Sequence, residues 1–319
     1  MPAVLSLKAQ SRRHIAPRSE ALTTRGARRR IARRCVLQSP MLIPFQWIGL
    51  FATLTVFAVM FAIGLMLGRE QIAAALQRRV VLAAVVFAVV VPVPVLAVLA
   101  LKAFALKGPV AVGIVLMAIS PGAPVALRRA LDAGGNREFA PALHLAIVML
   151  AVVTVPASIA ILDWIFAADF TVTPFHIGRQ VFFAQLLPMA LGASLRAVRP
   201  ALAAKVEAPL GRVGNVLLLL LAIAVLADLP SIIAAVGWVP TIAGVGMTLC
   251  ALAIGAAFAW RDAEVRPAAA VAAAMRNPGL ALVIATVNHV PPAVTAAVIG
   301  YALGLGVTMV AFVQWSKRR

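Results

Sequence analysis

The chain has 319 residues, of which 63% are hydrophobic and 12% are charged, and its formal net charge is +19. A soluble globular domain is about 45–50% apolar and about 25% charged, so the composition excludes that class and indicates a polytopic membrane protein. The basic residues lie between apolar runs, which argues against nucleic-acid binding, and two cysteines cannot form a disulfide framework or a metal cluster. We expect neither a metal site nor a cofactor.

Residues 1–40 differ from the rest of the chain. They contain ten Lys or Arg and one acid, Glu20, without a sustained apolar period. We therefore expect a disordered basic tail. Three origins are open: an Arg-rich organellar transit peptide, a cytoplasmic lipid-binding arm, or sequence upstream of a native start at Met41.

Apolar runs long enough to cross a membrane recur from Leu42 to Val313. A hydrocarbon core about 30 Å thick needs about 20 apolar residues per helix, and the alternating polarity of a transmembrane barrel is absent. The sequence therefore predicts an all-α polytopic membrane protein with about nine transmembrane helices. The predicted spans are 42–67, 80–101, 109–133, 140–167, 178–195, 210–228, 232–258, 267–288 and 292–314.

The loop charges predict the orientation. Counted alternately, one set of loops contains most of the basic residues, whereas the other contains only Lys102 and Lys107. The positive-inside rule puts the basic set in the cytoplasm. We expect an integral protein of a bacterial inner membrane, with a cytoplasmic C-terminus and a first span that starts outside. The basic tail contradicts this start, which favours Met41 as the native one.

Two Pro-Gly pairs interrupt predicted spans at matching places in the two halves of the chain. The first break reads Ser120-Pro121-Gly122-Ala123-Pro124, and the second reads Met275-Arg276-Asn277-Pro278-Gly279-Leu280. Backbone groups freed at membrane depth persist only where they are buried in protein or line a watery cavity. Interrupted helices in both halves indicate the binding site of a transporter built from inverted repeats.

Both segments resemble the crossover helices of the bile acid:sodium symporter (BASS) family. The first resembles the family's Pro-Gly-Gly segment, the second resembles its second crossover helix, and the span pattern follows the family's from about Met41 to the end. The resemblance implies that residues 41–319 form a BASS-like transmembrane domain. It also implies a core domain, a panel domain and broken helices that cross at mid-membrane, where the ligand binds.

The sequence departs from the family at its sodium-binding positions. Where the family has a Glu and a Gln in the second crossover, this chain has Ala272 and Arg276, and Ala126 and Leu127 replace a Ser-Asn pair in the first. A hard cation needs several oxygen ligands. We therefore expect that this carrier does not use the family's two-sodium site.

Arginines beside the breaks suggest an anionic substrate. Arg276 stands at the second break, Arg128 and Arg129 follow the first, and neither broken segment contains an acid to pair with them. A charge at the bilayer centre costs about 2.5 to 3.5 kcal/mol on insertion scales, and an anion would supply a partner. In the alternatives, Arg276 snorkels or caps carbonyls of the opposite break, while Arg128 and Arg129 are anchors at a helix end.

The predicted substrate site combines the two breaks with these arginines. Its candidate residues are Ser120, Pro121, Gly122, Arg128, Arg129, Arg276, Asn277, Pro278 and Gly279. Asn277 either binds the ligand or satisfies carbonyls freed by Pro278. His144 and Gln185, on otherwise apolar spans, are expected to be structural residues whose polar atoms have partners.

We expect a secondary transporter of a small or amphipathic organic anion that works by alternating access, and not an enzyme. Its expected partners are the anion and the lipid bilayer, and the oligomeric state is open. One alternative is an oxyanion or metalloid efflux carrier, although related arsenite carriers use a cysteine that the first break lacks. Another is a membrane sensor that does not transport. An intramembrane hydrolase using His144 with Ser120 or Ser158 is disfavoured, because no Gly-x-Ser-x-Gly or zinc motif accompanies them.

Overall fold

The computed structural model describes residues 45–166, 174–227, 229–288 and 290–318, and their regular structure is entirely helical. The predicted tail at 1–40 and the predicted start at Met41 lie outside these ranges. In chain order the helices are α1 Phe45–Leu65, α2 Arg69–Gln77, α3 Arg79–Val90, α4 Pro92–Ala103, α5 Gly108–Ala118, α6 Ala126–Asp132, α7 Phe139–Phe166, α8 Pro174–Val181, a π-helical turn Phe182–Leu186, α9 Leu187–Val198, α10 Pro200–Ala227, α11 Leu229–Val236, α12 Val239–Phe258, α13 Arg266–Ala274, α14 Pro278–Val287 and α15 Pro292–Ser316.

The described residues contain six helical segments long and apolar enough to cross a membrane. A seventh is obtained if Leu54–Leu65 and Arg69–Gln77, which are bent by 78° relative to each other, count as one span. Length and composition therefore support a polytopic helical membrane protein without reproducing the predicted nine spans. The third predicted span, 109–133, is divided between α5 and α6, whose 11 and 7 residues are each too few to cross.

Proline and glycine mark helix ends inside apolar segments that the sequence predicted as single spans. The predicted seventh span, 232–258, is interrupted at Gly237, whose φ of +69° ends α11. Pro92 is the first residue of α4, within the second predicted span, at a helix position where its missing N–H costs no hydrogen bond. The sequence predicted the apolar segments and the two Pro-Gly breaks, but not the helix ends at Gly237 and Pro92.

The helices pack in two groups through small residues. In one, α1 packs against α9 and α10, and in the other, α12 packs against α13 and α15. Helix association in lipid depends on close packing, since the tails are as apolar as the side chains. A Cβ on Gly64 of α1 would meet the Met189 carbonyl of α9, and one on Gly304 of α15 would meet the Thr241 carbonyl of α12. These glycines let the backbones touch.

Gly304→Ala is expected to destabilise the protein, because the added methyl group would overlap the Thr241 carbonyl. Overpacking of this kind costs about 1 to 3 kcal/mol. The matched control is Gly306→Ala on the same helix, where a Cβ meets nothing within 4 Å. Melting temperature in detergent should fall for Gly304→Ala and stay level or rise for Gly306→Ala. Equal values would show that α12 and α15 do not pack this closely.

Candidate functional site

The first break carries the chain through the protein interior between α5 and α6. Residues 120–124 are buried and not helical. Gly122 has a φ of +75°, a backbone conformation that glycine adopts without steric cost. The Ser120 hydroxyl donates to the Leu116 carbonyl at 2.6 Å, which satisfies one carbonyl of the last turn of α5.

The second break consists of three buried residues between α13 and α14. Asn277 caps α14, because its Oδ1 accepts the Leu280 N–H at 3.1 Å. Pro278 follows at the first helical position, where its missing N–H costs no hydrogen bond. Asn277 therefore satisfies backbone groups, as one of its two expected roles requires, and ligand binding by its side chain stays a prediction.

The two breaks are in direct contact. The Asn277 N–H donates to the Ser120 carbonyl at 2.7 Å, and the Asn277 Nδ2 donates to the Gly122 carbonyl at 3.4 Å. Backbone groups that lack helical partners at one break thus find partners at the other. The structure brings Ser120, Gly122 and Asn277 together, and their role in a shared substrate site stays a prediction.

Arg276 joins the ends of three helices. Its side chain is 1% exposed, and one amino group donates to the Val89 carbonyl at 3.2 Å and to the Ala118 carbonyl at 2.9 Å. The other donates to Val89 at 3.2 Å and to the Ala273 carbonyl at 2.6 Å. These carbonyls lie in the last turns of α3, α5 and α13, where carbonyls lack intrahelical partners and the helix dipole is negative. A planar cation with several donors suits such a position.

Arg276 thus has carbonyl partners within the protein, as the capping alternative requires, and its contact with an anionic substrate stays a prediction. Carbonyl groups, not an acid, stabilise the guanidinium. None of the ion pairs among the described residues includes Arg276, so no opposite formal charge balances its own. Its Nε is buried and has no hydrogen-bond partner. The site combines a structural guanidinium with an uncancelled positive charge.

A narrow cleft lies beside Arg276, and it is too tight to hold a water molecule. It is lined by Val89, Val90, Pro94, Ala118, Ile119, Pro121, Thr154, Ser158 and Arg276. Thr154 and Ser158, both on α7, add hydroxyl groups to an otherwise apolar wall. Ligand pockets usually measure about 300 to 1,000 Å³. The protein would have to open here to admit an organic anion.

Arg128 and Arg129 do not reach this cleft. Both lie on α6, whose buried face is formed by neighbours such as Ala126 and Leu127. Arg128 is exposed, and the Arg129 guanidinium lies 3.8 Å from the carboxylate of Asp132. This placement agrees with the alternative that the pair anchors a helix end, and we leave both residues out of the proposed site.

A second, small cavity, with room for about one water molecule, lies among α6, α7 and α13. It is lined by Ala126, Leu127, Ala130, Ala140, Leu143, His144, Ala268 and Ala272. Three of these, Ala126, Leu127 and Ala272, are positions where the sequence departs from the family's sodium ligands. His144 is 4% exposed and its Nε2 has no hydrogen-bond partner, so the expectation that its polar atoms are all paired is wrong.

Gln185 lies next to the first break, a placement that sequence reasoning missed. Its side chain is 1% exposed, and neither Oε1 nor Nε2 has a hydrogen-bond partner, contrary to the expected role of a paired structural residue. A Cβ built on Gly122 would lie 3.2 Å from the Gln185 Oε1, so the carboxamide adjoins the first break. The residue lies in the π-helical turn. Such turns are common at functional sites, and hydrophobic periodicity in the sequence does not predict them.

Comparison with known proteins supports one family. The family model described as the sodium bile acid symporter family matches residues 53–235, more than half of the chain. No curated protein matches the chain. The matched range contains the first break and Gln185 and ends before the second break, so the roles of Arg276 and Asn277 rest on the contacts described above.

Arg276→Ala is expected to lower the stability of the protein, because four hydrogen bonds to three buried carbonyls are lost together. A buried polar group left without a partner costs about 1 to 3 kcal/mol, so the total loss should exceed about 2 kcal/mol. Arg276→Lys should recover part of it, since an ammonium keeps the charge but not the planar fork.

The matched control is the exposed Arg128→Ala, for which melting temperature in detergent should change little. If Arg276→Ala and Arg128→Ala melt at the same temperature, Arg276 does not hold the three helix ends together.

Proposed function

The chain belongs to the sodium bile acid symporter family, and from that premise we propose that it is a secondary transporter that carries a small or amphipathic organic anion by alternating access. The substrate binds where the two breaks meet, at Ser120, Pro121, Gly122, Arg276, Asn277, Pro278 and Gly279. The carrier is an integral membrane protein of a bacterial inner membrane with a cytoplasmic C-terminus.

The observation that carries the anion proposal is the positive charge of Arg276, which has no anionic partner among the described residues and lies beside the contact between the breaks. Its amino groups donate to carbonyls, whose partial charges stabilise the cation, while no acid among the described residues pairs with it. Electrostatic attraction is stronger in such a low-dielectric interior than in water. An anion that enters here gains from the full positive charge, whereas a cation would be repelled by it.

The proposal includes the finer architecture expected from the sequence. Nine spans form two inverted repeats, each with one broken helix, and a panel moves against a core. The separate packing of α1 with α9 and α10, and of α12 with α13 and α15, supports this division. Gly279 supports a site between the groups, because a Cβ on it would lie 3.6 Å from Val56 of α1.

Sodium does not fit the cavity among α6, α7 and α13. Its lining side chains are seven apolar residues and one imidazole, without a hydroxyl, amide or carboxylate oxygen. Hard cations require several oxygen ligands, and nitrogen donors suit softer metals. We therefore propose that this member of the family does not couple transport to sodium through a two-sodium site.

Binding and uptake measurements test the anion proposal. Melting temperatures of the purified protein should rise with at least one of octanoate, octanesulfonate and cholate, which sample carboxylates, sulfonates and steroid acids, and should stay constant with the cation octyltrimethylammonium. Liposomes containing the protein should then take up the same anion. Stabilisation by the cation and by none of the anions would overturn the proposal, and anion binding without uptake would identify a sensor instead of a carrier.

Replacing sodium by choline at fixed pH is expected to leave anion affinity within about twofold, because the cavity offers sodium no side-chain oxygen. Affinity should be measured by isothermal calorimetry or by thermal-shift titration over a series of sodium concentrations at constant ionic strength. A steep sodium dependence would contradict the expectation and would show that backbone carbonyls suffice as ligands.

A further inference from the structure

Resting on the proposed function, we propose that Gln185 is a specificity-determining residue that makes direct hydrogen bonds to the polar head of the transported anion. The proposal follows from one juxtaposition. An unpartnered carboxamide on the π-helical turn Phe182–Leu186 adjoins Gly122 at the first break, which is hydrogen-bonded to Asn277 at the second. The family match and the loop charges do not assign any role to this residue.

The burial of Gln185 without partners needs an explanation. Its side chain is 1% exposed, yet its Oε1 and Nε2 both lack hydrogen bonds. Buried side-chain polar atoms in native proteins are nearly always paired, and a membrane interior offers no bulk water in compensation. Leucine or methionine would fill this position without that cost. A polar group kept at such a place indicates a partner that arrives from outside the chain.

At the first break, the Gln185 carboxamide lies next to the backbone that borders the proposed substrate path. A Cβ on Gly122 would lie 3.0 Å from a Val148 methyl group and 3.2 Å from the Gln185 Oε1, so only glycine leaves the space between them open. Gly122 also has a positive φ of +75°, which favours glycine independently. The backbone of the break at Gly122 therefore lies next to the Gln185 carboxamide.

Arg276 and Gln185 divide the recognition of the anion between them. The amino groups of Arg276 already donate to the Val89, Ala118 and Ala273 carbonyls, which leaves only Nε unpaired. Arg276 therefore supplies charge and holds the breaks in place. Gln185 supplies free hydrogen-bonding capacity, because its amide N–H groups can donate to a carboxylate or sulfonate oxygen while Oε1 accepts from a hydroxyl group or water that accompanies the anion.

The decisive variant is Gln185→Met, which keeps the length of the side chain and removes both polar atoms. The probe is whichever of octanoate, octanesulfonate and cholate stabilises the wild-type protein most. A hydrogen bond to a charged group contributes enough that its loss should weaken anion affinity by about 10- to 150-fold. Gln185→Asn, which keeps the amide on a shorter stem, should retain part of the affinity.

Stability separates recognition from a structural role. Without the anion, Gln185→Met should melt at the wild-type temperature or above it, because an unpartnered buried amide has been removed. The control is Gln180→Met, the same change five residues earlier at a half-buried amide whose Oε1 has no partner among the described residues. Its anion affinity should equal that of the wild-type protein, and Ser158→Ala in the cleft should have a smaller effect than Gln185→Met.

Each outcome bears on one proposal. Wild-type affinity in Gln185→Met would overturn the role of Gln185 and leave anion transport standing. A lower melting temperature with unchanged affinity would show that Gln185 only packs against the break. If the wild-type protein binds none of the three anions, the proposed function fails, and the inference about Gln185 fails with it.

Discussion

The structure depends on the hydrogen bonds between the Arg276 guanidinium and three carbonyls at the ends of α3, α5 and α13. A broken helix in a membrane exposes backbone groups that lipid cannot satisfy. Here Asn277 of the second break donates to the Ser120 and Gly122 carbonyls of the first, and Arg276 donates to carbonyls at nearby helix ends. A positive charge also suits the negative ends of helix dipoles. The same hydrogen bonds therefore offset both the cost of burying the cation and the cost of breaking the helices.

This arrangement explains how a site can form in a chain that is so apolar. The breaks bring polar backbone groups and one charge into the interior. Glycines let the surrounding helices pack closely. Gly122 leaves room for Gln185, while close contacts at Gly64 and Gly304 pack the two groups of helices. Among the described residues, the buried polar atoms without partners are on Gln180, Gln185, His144 and Arg276, and all of these except Gln180 lie next to a break or line a cavity beside one. Incomplete pairing is expected where a protein awaits a ligand.

Membership of the family does not by itself determine which ions the interior can bind. Residues 53–235 match the sodium bile acid symporter family, whose description names a sodium-coupled transporter. The cavity among α6, α7 and α13 is lined by alanines, leucines and one histidine, which is a poor set of ligands for a hard cation. The contact between the broken helices is made by hydrogen bonds to backbone carbonyls and does not involve the side chains of this cavity.

The sequence by itself determined the class of protein, the two breaks and the apolar segments, because these depend on local features: apolar length, Pro-Gly pairs and loop charge. It left the partners of Arg276 open between an anion and carbonyls, and it misjudged Gln185. Those answers depend on contacts between residues far apart in the chain, such as Arg276 with Val89 and Gln185 with Gly122. Only the tertiary structure decided them, because hydrophobic periodicity shows which residues are buried but not which polar atoms find partners once they are.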